Sequence, residues 1–146
     1  MLFRCVLPMA FGTDILEIMK RAVRMNTILL SINPEHLAKI FDGTKTYEFR
    51  KARCNRKVSR IVFYCTAPVM KIVGEAEVSE IIEDHPDRLW EITSAGAGIS
   101  KTFFDGYYSG RSKGVAFGLM NVTRFESERE LSDYGISAAP QSFRYI

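Results

Sequence analysis

A helical pattern that ends at Gly43 gives way at once to an alternating one, and this switch of period constrains the chain more than any other feature of its 146 residues. Before the glycine, Leu37, Ile40 and Phe41 recur at the spacing of one helix face. After it, Lys45, Tyr47, Phe49 and Lys51 fall on one parity and Thr46, Glu48 and Arg50 on the other. The pattern predicts a short helix from Glu35 to Phe41, with Asn33 as its cap and Pro34 at its first position. A stop at Asp42-Gly43 and a strand over about residues 45 to 51 follow. Tyr47 and Phe49 mark the expected core face, so Glu48 and Arg50 should emerge together on the other. An exposed pair of that kind adds little stability. Its neighbourhood gives it weight: Lys45, Arg50, Lys51, Arg53, Arg56, Lys57 and Arg60 crowd one segment in which Glu48 is the only acid.

The rest of the chain reads as short strands interrupted by helical insertions. Thr27 to Ile32, Arg60 to Thr66 and Val115 to Val122 are apolar runs of buried-strand character, and Gln141 to Ile146 is a strand-like tail. Val69 to Ile82 is a long strand in which Gly74 suggests a bulge or bend. Helical segments are predicted over Asp87 to Thr93 and Ser100 to Tyr108, with Phe103 and Phe104 expected in the core. The fold class this implies is α+β: a small β-barrel with short helices flanking a cleft. Residues 1–25 read as an N-terminal extension, either a packed helix over Ile15 to Met25 or the product of an upstream start. Residues 26–146 read as the domain.

Composition excludes several functions. No apolar run approaches the roughly 18 residues of a membrane span. Cys5, Cys54 and Cys65 form no CxxC pair, and His36 and His85 are the only histidines, each expected at the surface. Neither a disulfide framework nor a metal site is expected, no cofactor is expected, and the thiols suit a reducing cytoplasm. No Walker loop, HExxH or GxSxG is present, and Gly96-Ala-Gly98 reads as a hinge. The net charge of +3 is mild but unevenly spread, since Glu75, Glu77, Glu80, Glu83, Asp84, Asp87 and Glu91 cluster against Arg88 alone.

The run from Ile28 to Lys51 resembles the ASCH domain family, whose hallmark is Gly-x-Lys-x-x-Glu-x-Arg directly after the first helix; here it is Gly43, Lys45, Glu48 and Arg50. Gly114 to Val122 and Pro140 to Ile146 look like the family's closing strands, so the resemblance covers about residues 26 to 146. It implies a PUA-like barrel, a cleft between barrel and helices, and binding of RNA or a nucleoside, in some relatives in translation or transcriptional regulation. One branch resembles an amidohydrolase of acetylated cytidine, with a lysine at the position of Lys45 but a threonine nucleophile where this chain has Glu48. A carboxylate can act as a general base but does not replace that hydroxyl. Ribonuclease activity is also associated with ASCH-like proteins, and for it Lys45 and Glu48 are the candidate catalytic groups.

The residues themselves suit the binding role. Lys51, Arg53, Arg56, Lys57, Arg60 and Arg111 could meet phosphates. Tyr47, Tyr64, Phe103, Phe104, Tyr107 and Tyr108 include candidates to stack on unpaired bases, with the core as the alternative expected for Phe103 and Phe104. Lys45, Glu48 and Arg50 are expected in the cleft, Glu48 accepting from a base or nucleoside amine and Arg50 orienting it or binding phosphate. Gln141 and Ser142 on the closing strand complete the set.

Overall fold

The computed structural model describes residues 14–146. The first half of the N-terminal extension therefore lies outside the described residues. Helix α1 (Ile15–Met25) follows the predicted periodicity, and its Ile15, Leu16, Ile18 and Met19 are exposed.

Six strands form one sheet: β1 (Thr27–Ile32), β2 (Tyr47–Arg50), β3 (Arg60–Cys65), β4 (Lys71–Asp84), β5 (Gly114–Arg129) and β6 (Phe143–Tyr145). Their order is β2-β5-β4-β3-β1-β6, with β1 and β3 parallel and every other neighbouring pair antiparallel. The sheet curls into a half-barrel. Because β1 is apolar at successive positions, it can be buried on both faces. Ile28, Leu30 and Ile32 join the interior core, while Leu29 joins a separate cluster with Val62, Tyr64, Ile72 and Ile136.

Helix α2 (Pro34–Asp42) packs into the curl. Asn33 accepts from the His36 N–H at 2.9 Å as its cap, and Gly43 ends it at φ +87°, a conformation that disfavours side chains with a Cβ. Leu37 and Ile40 bury into the interior beside Phe63 and Phe117, each contributing about 1.5–3 kcal/mol. Helices α3 (Pro86–Thr93) and α4 (Lys101–Tyr107) lie over the opposite face of β2 and β5, where Leu89, Phe104 and Tyr108 pack on Phe49 and Ala116.

Strand β5 runs seven residues past the predicted end at Val122. Its second half is mostly exposed, so hydrophobicity gave no sign of it; backbone pairing with β4 carries it, through register shifts between Ile72 and Gly74, Glu75 and Glu77, and Val78 and Glu80. The expected irregularity at Gly74 is present. A Cβ there would sit 2.8 Å from the Phe41 ring and closer still to the Thr123 carbonyl, so the β5 backbone occupies the space. Phe103 does not join the core as expected: it is 52% exposed, because α4 turns Phe104 inward. Tyr47 is only half buried, its hydroxyl 3.1 Å from Glu80 Oε1.

Candidate functional site

In strand β2, Glu48 pairs with Phe117 and Phe49 with Ala116. Paired residues share a face, so Phe49 goes outward under α4, and Glu48 goes inward at the rim of the half-barrel. A carboxylate on an inner face is costly unless cations and donors surround it. Two cations do. Arg50, two residues on and on the same face, brings Nη2 to 3.0 Å from Glu48 Oε1. Lys45 brings Nζ to 3.6 Å from Oε2. Parity had placed Lys45 with Tyr47 and Phe49, but the strand begins only at Tyr47, so Lys45 is free of the alternation and turns towards Glu48. It also stays 4.9 Å from the Phe49 ring centroid.

Lys45 is 2% exposed and Glu48 6%. The Gly96–Gly98 turn covers the lysine: Nζ donates to the Ala97 carbonyl at 2.8 Å, and the Thr46 N–H donates to Gly96 at 2.8 Å. Gly98 has φ +64°, and a Cβ on it would meet Lys45 Cγ at 2.8 Å. The expected hinge is thus a wall pressed onto the lysine. Burial lowers the Lys45 amine from its ordinary range, and the Glu48 charge opposes that shift.

Arg50 spans the gap between the sheet's two edges. Its Nη2 also donates to the Ser31 carbonyl at 2.9 Å, and Nη1 lies 3.5 Å from Ser142 Oγ. Ser31 fixes the far side by donating its hydroxyl to Pro140 and its N–H to Ser142. Behind Arg50, the Tyr108 hydroxyl lies within 3.0 Å of the Arg50 carbonyl and 3.1 Å of Val115, and burial pushes that phenol well up.

A cavity of about 230 Å³ opens over this arrangement, lined by Ser31, Asn33, His36, Ile99, Phe103 and Tyr107 in addition to the Lys45, Glu48 and Arg50 trio. Among the described residues, three buried side-chain atoms lack a hydrogen-bond partner: Glu48 Oε2, Arg50 Nε and His36 Nδ1. All three belong to residues of this one cavity. Unpartnered buried polar atoms are rare and costly. Three in one small cavity single it out as the candidate site.

The candidates chosen from sequence separate into groups. Lys45, Glu48, Arg50 and Tyr107 line the cavity, and Ser142 adjoins it through Arg50. Lys51 stands at its margin, Nζ 4.8 Å from the Tyr107 ring centroid. Arg53, Arg111 and Gln141 are exposed outside it. Tyr64 is elsewhere: it is buried with Leu29, Val62 and Ile136 on the outer face of the sheet. Arg60 leaves the basic group for an acidic one, pairing with Glu75 at 3.1 Å and Glu77 at 3.7 Å.

Sequence reasoning missed His36, assigned to the surface. Its ring sits edge-on to Phe103, centroids 5.6 Å apart, and burial lowers its pKa. The signal was its spacing, one turn before the buried Ile40 and so beside the apolar stripe. Ser31, Asn33 and Ile99 were also missed as cavity residues, and Phe103, considered for stacking but expected in the core, lines the cavity instead.

Among the described residues no cluster of three or more His, Cys, Asp or Glu could hold a metal ion, and no helix is long and apolar enough to cross a membrane. Cys54 and Cys65 are free and buried.

Known proteins share the family and the fold. A sequence model of the ASCH domain matches residues 30–129. The chain is 32% identical over 90 residues to an ASCH domain-containing ribonuclease of Zymomonas mobilis subsp. mobilis, covering 61% of each protein. It is 30% identical over 121 residues to large ribosomal subunit protein uL22 of Ureaplasma parvum serovar 3, covering 82% of this chain and only 39% of that protein. The crystal structure of ASCH from Zymomonas mobilis superposes with a TM-score of 0.76 at 27% identity, over 84% of this chain and 88% of that one.

Proposed function

The chain belongs to the ASCH domain family, and from that premise we propose that it binds single-stranded RNA, one unpaired nucleotide entering the cavity over Lys45, Glu48 and Arg50. The observation that carries this reading is that Glu48 Oε2, Arg50 Nε and His36 Nδ1, buried atoms that make no hydrogen bond, all belong to residues lining one cavity. A nucleoside offers both donors and acceptors to such a site, with Phe103 and Tyr107 as stacking surfaces. Exposed Lys51, Arg53 and Arg111 take the flanking phosphates. The ribonuclease of Zymomonas mobilis supports an RNA-related role. The same reading puts the chain in the cytoplasm, which cell fractionation checks.

The test is the affinity of a short fluorescent single-stranded RNA measured across a salt series. Affinity should fall linearly with the logarithm of salt, and Lys51→Ala should reduce the slope by about one. Absent or salt-insensitive binding overturns the proposal.

Similarity to a ribonuclease favours a second reading, cleavage of the bound RNA. Glu48 would take the proton of the 2′-hydroxyl as the hydroxyl oxygen bonds to phosphorus. The bond from phosphorus to the 5′-oxygen would break with a proton delivered to that oxygen from the protonated Glu48 or water, and the Lys45 and Arg50 cations would stabilise charge at the phosphate. Glu48→Gln should then remove product on a gel while the variant stays folded. Product that survives the substitution rules out Glu48 as the base.

A further inference from the structure

The order of charged groups on the cavity floor narrows the ligand further, on the premise that RNA binds there. Lys45 approaches Oε2 of Glu48 and Arg50 approaches Oε1, so the carboxylate is held between two cations. Ammonium and guanidinium groups only donate hydrogen bonds, and a carboxylate only accepts. The floor therefore reads donor, acceptor, donor. Oε2, ion-paired with Lys45 at 3.6 Å but accepting no hydrogen bond, is the acceptor, and Nε of Arg50, which makes no hydrogen bond, is one of the donors. The Lys45 ammonium is the other, with one proton committed to Ala97.

A matching ligand edge presents acceptor, donor, acceptor. Phosphate has acceptors alone and would set its charge against Glu48. Cytosine puts a ring acceptor next to its single amino donor, so two acceptors follow one another. Guanine carries two adjacent donors, one of which would meet a cation. Adenine's ring acceptors are set back behind its amino group. Uracil has the required order, with a carbonyl on each side of its N3–H. His36 Nδ1, in the tautomer that carries the proton there, can donate to one of the carbonyls.

We propose that the cavity selects uracil, Glu48 accepting from N3–H between carbonyls held by Lys45 and Arg50, with the phosphates left outside on the exposed basic residues.

The experiment compares short labelled oligo(U), oligo(C) and oligo(A) RNAs by fluorescence anisotropy on the full chain. An oligo(U) in which every base is N3-methyluridine is added, since methylation removes the one donor without touching the protein. Oligo(U) should bind best, by roughly tenfold, the scale of one well-made base contact. The methylated RNA should fall to the level of oligo(C). Equal binding of the methylated and unmethylated RNAs, or a preference for C or A, overturns the proposal while leaving RNA binding intact. If no RNA binds, the RNA reading fails, and free uridine and cytidine are then titrated with the His36 ring signals followed by NMR. Shifts with uridine alone keep the uracil site; shifts with both or neither remove it.

Discussion

Arg50 donates to the carbonyl of Ser31 at 2.9 Å, joining edge strand β2 to β1 across the open side of the curl. The same guanidinium nitrogen also meets Glu48 at 3.0 Å. A lysine keeps the charge but lacks the planar fork that serves both partners. Arg50→Lys should cost about 1–3 kcal/mol, the scale of buried partners left unsatisfied. Urea unfolding checks it, and an unchanged midpoint would mean that the two edges do not depend on this tie.

Two glycines make a matched pair for a second test. Gly98→Ala places a methyl against Lys45 at a left-handed backbone position and should destabilise by about 1–3 kcal/mol. Gly106→Ala, within α4 and with nothing near its added carbon, should be neutral or gain about 0.4–1 kcal/mol. Thermal unfolding of both variants decides. Equal behaviour would show that the turn does not press on the lysine.

His36 gives the fold a definite response to acid. Burial holds its pKa in the folded chain below the ordinary 6.5, so just under that pH the unfolded chain binds more protons. Stability is therefore complete above about 6.5 and is lost as pH falls through the window towards the lowered folded value. His36→Gln should flatten that part of the curve relative to the wild type. Urea midpoints at a few pH values measure it, and parallel curves would contradict the assignment.

The domain boundary proposed at residue 26 is open to direct test. A chain of residues 26–146 should fold with the same cooperativity and bind RNA as the full chain does, because among the described residues none that lines the cavity precedes Ser31. Circular dichroism and the anisotropy assay check this. Loss of either property would make α1 part of the domain.

The motif strand was legible because a period change at a glycine is a local signal, and Gly43 does adopt the left-handed conformation the turn requires. Parity put Glu48 and Arg50 on one shared face, but the face assigned to the core was the other one: Glu48 shares the interior face with Phe117, while Phe49 packs outward under α4. The position of Lys45 did not follow from parity: it depends on where the strand starts, and that is set by the Thr46 contact with Gly96, far along the chain. Phe103 and Phe104 are adjacent aromatics with the same composition signal, and only the packing of α4 decides which one is buried. Tyr64 carried a plausible stacking ring, but its neighbours Leu29 and Ile136 come from distant segments. Residues fixed by local periodicity could be read, and those fixed by long-range partners could not.

The cavity draws its walls from β1 and α2, from β2, and from α4, and its Arg50 reaches Ser142 near the chain's last residue. Contacts of such wide sequence separation form late, because loops must close before they contribute. The carbonyls of Pro140 and Ser142 both hold Ser31 from far along the chain, so this wall of the cavity forms only once the segment before β6 has docked. A copy lacking the closing strand β6 therefore has no finished cavity, and on the binding reading proposed above it should not compete for RNA.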